Sequence, residues 1–254
     1  MIEGKCQIIE KRQLTKDVYL MVFENAVIAS KSRPGQFVHV NIGPRSVLRR
    51  PFSVYDTHRD TFSILFKVVG QGTNRLTTYR PGQFLYVIGP LGHGFPMESS
   101  SPLLVGGGMG VASLKLLNKR FSKEHVKPKV LLGFEDAKAV ISWSGSQIST
   151  NDGSVGQKGM VTDLLEKELK AGTDAVYACG PEPMLKKVSQ IASKNKVKAY
   201  VCLEKFMACG VGACLSCVCQ TKYGLARVCK DGPVFDSKDI VWDGKRAQED
   251  KGQA

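Results

Sequence analysis

The chain has 254 residues, 43% of them hydrophobic, with a formal net charge of +13 and eight cysteines. That length and apolar content argue for a globular chain of two domains and a small appendage. No apolar run approaches the ~18 residues that a membrane span requires, so no membrane partner is expected. The basic residues are scattered rather than gathered into a block, and no aromatic-interleaved basic motif of an RNA-binding sheet is present, so no nucleic acid is expected either. The charge reads as a solvated basic surface that also suits phosphate-bearing cofactors. The opening Met1–Gln7 lacks a charged leader followed by an apolar stretch, and cysteines without an export signal fit a reducing compartment, so a cytoplasmic location is expected.

The first hundred residues read as short strands. Gln7–Glu10, Val18–Phe23, Gln36–Asn41 and Thr61–Val69 are rich in β-branched and aromatic residues, and several alternate apolar with polar. Pro34-Gly35 and Pro81-Gly82 are turn dipeptides, each followed by Gln-Phe, and they read as two equivalent corners of one antiparallel barrel. Within this barrel Arg49-Arg50-Pro51-Phe52-Ser53-Val54 stands out. A guanidinium would pair with phosphate, the aromatic would lie near a ring system, and the hydroxyl would reach a ring nitrogen. Phe52 would otherwise be ordinary barrel core. The following Val69-Gly70-Gln71-Gly72-Thr73 would let backbone N–H groups approach a pyrophosphate, with Thr73 as a further donor, or would be a plain strand-to-helix turn. Together the two motifs favour a flavin.

The pattern changes at Pro102. Leu103-Leu104-Val105 reads as a strand buried on both faces. It runs into Gly106-Gly107-Gly108-Met109-Gly110, then into a stretch of helical spacing from Ser113 to Arg120. Strand, glycine loop and helix open a dinucleotide-binding unit, although a glycine-rich turn without a ligand has the same appearance. A second strand, Lys129–Phe134, ends at Glu135-Asp136, where carboxylates would accept hydrogen bonds from a ribose and repel a 2′-phosphate; this favours NAD(H). Leu164–Lys170 reads as an amphipathic surface helix. Asp174–Leu185 supplies another strand, the loop Cys179-Gly180 and a helix with Pro183 in its first turn. Cys179 would touch a nicotinamide there, or would be a buried strand-end thiol.

Near the end, Cys209, Cys214 and Cys217 are spaced C-x4-C-x2-C, the arrangement that wraps a loop round a plant-type [2Fe–2S] cluster. Gly210 and Gly212 allow positive φ and close backbone approach to sulfur. Cys229 is the better fourth ligand, because Cys219 sits two residues beyond Cys217 and would have to double back. Structural zinc would normally show two C-x2-C pairs, and disulfides would need an oxidising compartment.

This order of parts resembles the ferredoxin–NADP reductase superfamily over about residues 1–198. With Phe206–Cys214 and Arg227–Phe235 added, it is similar over essentially the whole chain to the electron-transfer subunits of class 1B dihydroorotate dehydrogenases. The resemblance implies a β plus α/β fold in three parts. These are a flavin-binding antiparallel barrel (1–99), a doubly wound parallel-sheet nucleotide domain (100–198) and a small [2Fe–2S] module (199–254). It also implies FAD, NAD(H) as co-substrate, and a heterotetramer with two FMN-containing catalytic subunits that oxidise dihydroorotate, so that no acid or base for that substrate is expected here. Carried over by residue, Arg50, Pro51, Phe52 and Ser53 match the flavin strand, Lys67, Val68 and Val69 the strand that meets FAD, and Gly72 and Thr73 the pyrophosphate turn. Two positions depart: relatives usually have proline where Ser113 stands, and Cys219 is an extra thiol. The alternative reading is the small subunit of an NADH-dependent ferredoxin–NADP oxidoreductase or sulfide dehydrogenase, for which an aspartate cluster ligand is expected.

Overall fold

A computed structural model describes residues 1–43, 48–169 and 172–242 of the chain. Lys170 of the expected surface helix and the last twelve residues of the expected 199–254 module lie outside the described residues.

Six strands close an antiparallel barrel: β1 (Ile2–Gln13), β2 (Val18–Glu24), β3 (Phe37–Val40), β4 (Arg50–His58), β5 (Thr61–Lys67) and β6 (Phe84–Leu91), paired in the order β1-β2-β5-β4-β3-β6. Strand β6 shows why the sequence alternates: Leu85 and Val87 pack in the barrel core, Phe84 and Tyr86 are exposed, and Leu91 at its end is buried in the core of the following sheet. The two Pro-Gly corners are equivalent. Arg33-Pro34-Gly35-Gln36 and Arg80-Pro81-Gly82-Gln83 each close with the glutamine N–H on the arginine carbonyl, at 3.1 and 3.2 Å. In each, the glutamine side chain accepts from the arginine N–H, at 2.8 and 2.7 Å. Gly35 and Gly82 take φ of 87° and 88°, as the third residue of a type II turn must. The strands launched by these corners, β3 and β6, are neighbours. Helix α1 (Ala26–Lys31) and helix α2 (Gln71–Thr78) cover connections of the barrel.

The second half is a parallel sheet with helices on both faces. Its elements are β7 (Pro102–Gly107), α3 (Val111–Lys123), β8 (Lys129–Phe134), β9 (Gln147–Thr150), β10 (Gln157–Lys158), α4 (Val161–Glu168), β11 (Ala175–Cys179), α5 (Glu182–Lys194) and β12 (Lys198–Cys202). Every residue of β7 and β11 is buried, which explains their continuous apolar runs. The sheet runs β10-β9-β8-β7-β11-β12, so the winding reverses between β7 and β11. A crevice opens at the carboxyl ends of strands where the winding reverses. The chain then forms the hairpin β13 (Val218–Thr221) and β14 (Gly224–Arg227) and returns as β15 (Val234–Asp236), which pairs antiparallel with β12 as a seventh strand. Strand β12 runs across position 199, so the excursion that carries the cysteines departs from the sheet after Cys202 and rejoins it at Val234. Cys217, Cys219, Val228 and Cys229 share the apolar core that α4 and α5 form on their face of the sheet.

The start of the sheet is tied by one carboxylate. Asp174, just before β11, accepts hydrogen bonds from the Ser99 hydroxyl, the Ser100 N–H and hydroxyl, both at 2.8 Å, and the Ser101 N–H at 3.1 Å. Burial pushes its pKa up, but the Ser99 and Ser100 bonds outweigh that and hold it down at about 2. A carboxylate with a folded pKa below its unfolded value of 3.8 stabilises the fold above that value. Its contribution should therefore be lost as pH falls from about 4 towards 2. Urea unfolding should show Asp174→Asn less stable than wild type at pH 7, with the gap narrowing at pH 3.

Candidate cofactor-binding site

A cavity of about 1330 Å³ lies where the barrel, the glycine loop after β7 and the chain leaving β12 meet. Drug-sized ligands occupy pockets up to about 1,000 Å³, so this volume has room for a dinucleotide. Arg50, Pro51, Phe52, Ser53, Lys67, Val69, Gly72 and Thr73 all line it; Val68 does not, and donates its N–H to the Asp17 carbonyl at 2.8 Å. Strand β4 brings the first four into register with β3, Pro51 opposite His39 and Ser53 opposite Phe37. Phe52 is braced by Phe66 with ring centroids 5.9 Å apart. A Cβ at Gly72 would lie 3.2 Å from both Arg50 Nε and Ile42 Cδ1. The Arg50 guanidinium thus sits at the start of α2, where the first N–H groups have no helical partner and the helix dipole favours an anion. Thr73 is differently employed. Its hydroxyl accepts from the N–H groups of Val69 at 2.9 Å and Gly70 at 3.2 Å, so it caps α2 instead of pointing outward as a free donor.

The expected dinucleotide loops come together at the reversal of the sheet. Gly106, Gly107 and Gly110 serve packing: Cβ atoms there would lie 3.0 Å from Val111, 2.4 Å from Met184 Sδ and 2.2 Å from the Cys179 carbonyl oxygen. Gly108 differs, with φ of 51° and open space beside its α-carbon. Gly180, at φ 158°, lies against Gly107, so the two loops touch backbone to backbone. Cys179 is fully buried, and its thiol meets Ser113 and Cys202 rather than open space. At the end of β8, Asp136 caps the following turn, accepting from Lys138 N at 2.8 Å and Ala139 N at 3.1 Å. Glu135 is exposed beside it.

The cysteine loop is built around sulfur acceptors. Cys209 Sγ accepts from the N–H groups of Val211, Ala213 and Cys214 at 3.5, 3.3 and 3.4 Å, and Cys217 Sγ accepts from the Cys229 N–H at 3.3 Å. Such bonds favour sulfur carrying negative charge, as a metal ligand does. Gly210 and Gly212 have φ of 71° and 84°, and non-glycine Leu215 also has positive φ, at 59°. Among the described residues no three His, Cys, Asp or Glu side chains converge on one ion position. The sulfurs form two pairs instead, Cys209 with Cys214 and Cys217 with Cys229. Two pairs suit a two-iron cluster better than a single zinc. The Ser216 hydroxyl, then Cys209, hold Cys214 down at about 6, while burial pushes Cys229 up to about 12. Cys219 is buried in the core it shares with α4 and α5, and burial pushes it up to about 11. Arg227 clamps the loop, bonding Asp231 through two nitrogens at 3.0 and 3.1 Å and the Gly212 carbonyl at 3.2 Å.

Sequence reasoning missed the bridge between the two centres. Leu203, Glu204, Lys205, Phe206, Met207 and Ala208 line the cavity and lead directly into Cys209. The available signal was positional: a chain leaving a nucleotide-sheet strand for a cluster loop must cross the mouth of the crevice. His39 was missed as well. It is fully buried, neither ring nitrogen has a hydrogen-bond partner among the described residues, and burial pushes its pKa down, so the imidazole is neutral.

Residues 204–241 match the family described as the iron–sulfur cluster binding domain of dihydroorotate dehydrogenase B. The chain is 38% identical over 247 residues to the dihydroorotate dehydrogenase B (NAD(+)) electron transfer subunit of Caldanaerobacter subterraneus subsp. tengcongensis, covering 94% of this chain and 98% of that one. A Bacillus cereus (strain Q1) subunit of the same description is 35% identical over 253 residues, covering 92% and 96%. A solved structure of an NADH-dependent reduced ferredoxin–NADP oxidoreductase superposes with a TM-score of 0.86 at 30% identity, covering 94% of this chain and 90% of that one. Phthalate dioxygenase reductase, at 15% identity and a TM-score of 0.66, shares the fold.

The two kinds of glycine separate by experiment. Gly110→Ala drives a methyl into the Cys179 carbonyl and should cost about 1–3 kcal/mol in chemical denaturation. Gly108→Ala meets no atom and pays only for left-handed backbone, about 1–2 kcal/mol, but it should also weaken NAD binding in calorimetry, which no packing loss explains.

Proposed function

Because this chain belongs to the family of dihydroorotate dehydrogenase B (NAD(+)) electron transfer subunits, we propose that it carries electrons from a dihydroorotate-oxidising partner through a [2Fe–2S] cluster and FAD to NAD+, in pyrimidine synthesis. One observation carries the reading. The segment that lines the flavin cavity continues without interruption into the cysteine loop, so one wall serves both centres. When bound, FAD supplies two-electron hydride chemistry and the cluster supplies one-electron exchange. The chain's own residues bind and orient. Arg50 and the start of α2 hold phosphate, Pro51, Phe52, Ser53, Lys67, Val69 and Gly72 shape the flavin wall, and Val68 anchors the strand beside it. Gly108 and the Cys179-Gly180 loop receive the nicotinamide nucleotide, with Gly106, Gly107 and Gly110 keeping the two loops in contact. Cys209, Cys214, Cys217 and Cys229 hold the cluster. We divide the chain accordingly into a flavin barrel (1–99), a nucleotide domain (100–198, with β12 completing its sheet) and a cluster module beyond it.

A partner surface is part of the proposal. Phe206 is 96% exposed and Leu215 61%, and with Val211 they surround the cysteine loop. Tyr223 and Leu225 stand equally clear on the neighbouring hairpin. An apolar rim round a redox centre suits an FMN-containing catalytic subunit, in a complex of two plus two, in the cytoplasm. No described helix is long and apolar enough to cross a membrane.

The NADH-dependent ferredoxin–NADP oxidoreductase likeness supports a second reading, the small subunit of such an enzyme or of a sulfide dehydrogenase. The gathering of four cysteines, where that resemblance leads to an expected aspartate, speaks for the first. An anaerobic assay decides. Dihydroorotate-dependent NADH formation should appear when the catalytic subunit from the same source is mixed with this chain and not with either alone; failure to bind and to form NADH sinks the pyrimidine assignment. Cys229→Ser should lose iron while FAD remains, by iron analysis and visible spectra. Since Asp136 is engaged as a cap, Glu135→Ala alone should narrow the preference for NADH over NADPH about ten-fold, the equivalent of one charged hydrogen bond; Asp136→Ala should mainly cost stability.

A further inference from the structure

The position at which the superfamily pattern leads one to expect proline carries a hydroxyl at a junction. Ser113 is the third residue of α3 and is 1% exposed. Its Oγ lies 2.7 Å from Ser53 Oγ on the flavin strand, 3.4 Å from Cys179 Sγ and 3.8 Å from Cys202 Sγ. Cys179 and Cys202 are register partners on β11 and β12. Ser53 and Cys202 both line the flavin cavity. Four polar side chains from four separate elements therefore meet at one buried oxygen.

We propose that Ser113 is a positioning residue that holds the Ser53 hydroxyl as a hydrogen-bond donor toward the flavin, an inference that rests on the flavin reading above. A hydroxyl has one proton and two lone pairs, whereas a thiol is a weak donor and a weaker acceptor. Cys179 keeps its proton, because its contact with the Cys202 thiol and its burial push its pKa well above the ordinary range. The Cys179 thiol therefore donates to Ser113 Oγ, 3.4 Å away, and Ser113 spends its single proton on the better acceptor within reach, Ser53 Oγ. Ser53 is left with its own proton and no other acceptor among the described residues, and the cavity is where that proton points. Every oxygen in the chain then both accepts and donates.

The same chain also runs in reverse. Oxidised isoalloxazine presents acceptors along its edge, and the reduced ring presents an N–H. When a donor faces Ser53, the Ser53 hydroxyl turns to Ser113, Ser113 turns to the Cys179 sulfur, and the Cys179 thiol proton turns to the neighbouring Cys202 sulfur. Both directions satisfy the buried groups, at the cost of exchanging an O–H···O bond for an O–H···S one. An alanine or proline at position 113 supports neither direction and leaves Ser53 free to rotate.

The test uses the flavin-loaded chain as purified, in wild type, Ser53→Ala, Ser113→Ala and the double variant. Flavin content, flavin midpoint potential in anaerobic titration, and stopped-flow reduction by NADH are read for each. Ser113→Ala should retain flavin, slow reduction about three- to ten-fold (the equivalent of about one neutral hydrogen bond) and move the potential in the same direction as Ser53→Ala. The double variant should match Ser53→Ala alone, because both changes remove one chain. A Ser113→Ala protein indistinguishable from wild type in potential and rate overturns the inference, and so do effects of the two single changes that simply add. A wild type that holds no flavin overturns the reading beneath it and the inference with it.

Discussion

The α-carbon of Gly210 rests on the imidazole of His39, and this contact fixes how the cysteine loop stands against the barrel. A Cβ at Gly210 would lie 2.5 Å from His39 Nδ1, and the residue's φ of 71° also favours glycine. His39 sits on β3 directly opposite Pro51 of the flavin strand. The cysteine loop thus lies one strand away from Pro51, separated from it by a single ring. That ring acts through its volume. Burial, helped by the charges of Arg49 and Arg50, outweighs the opposing effect of the nearby Cys209 and Arg49 backbone and holds its pKa down.

The contact holds because the loop is anchored at both ends. Cys202 pairs with Val234 across β12 and β15, and the Leu203 N–H bonds the Pro233 carbonyl at 2.8 Å. Residues 203–233 are therefore a closed excursion from the nucleotide sheet, and its buried cysteines share that sheet's core. Such an excursion has little freedom to swing. Its first six residues wall the flavin cavity and its middle carries the cluster, which converts between one-electron and two-electron carriers without a moving part. The nucleotide loops meet the same cavity from the other side, where the sheet reverses its winding.

The features legible in the sequence were those carried by local pattern. Alternating strands and the two Pro-Gly-Gln-Phe corners foretold the barrel, the glycine run after an apolar strand foretold the nucleotide sheet, and C-x4-C-x2-C foretold the sulfur loop. Two expectations were redirected by equally local competition. Thr73 and Asp136 are residue types that bond phosphate or ribose well, but they bond nearby backbone N–H groups just as well, and in both cases the turn claims them. What stayed hidden was long-range. Ser53 and Ser113 are sixty positions apart, His39 meets Gly210 across most of the chain, and no periodicity reports such meetings. The bland alternative for Cys179, a buried thiol, is where the structure places it, so any influence on a nicotinamide passes through its neighbours.

The eight thiols show why environment rather than acidity sorts ligands from bystanders. Cys214, among hydrogen-bond donors at the surface, is held at about 6, whereas Cys229 is pushed to about 12. Cys219 and Cys6, both at about 11, fall between them, and neither belongs to the proposed ligand set. Ranked by acidity alone, Cys229 would be the last choice for a metal ligand. Its high value has a particular source, though: after burial, the largest cause is the adjacent Cys217 sulfur, to which it is hydrogen-bonded. A proton shared between two buried sulfurs occupies the place where an iron would bind both of them. Cys219 faces the core it shares with α4 and α5 without a sulfur hydrogen bond among the described residues, so replacing its proton by a metal would gain one ligand and strand it in an apolar pocket. Cys179 and Cys202 are a sulfur pair too, so pairing alone does not make a ligand. Cys209, Cys214, Cys217 and Cys229 stand apart because both of their pairs lie on the one excursion between Cys202 and Val234, and a pair such as Cys217 and Cys229, twelve residues apart, is a property of the fold.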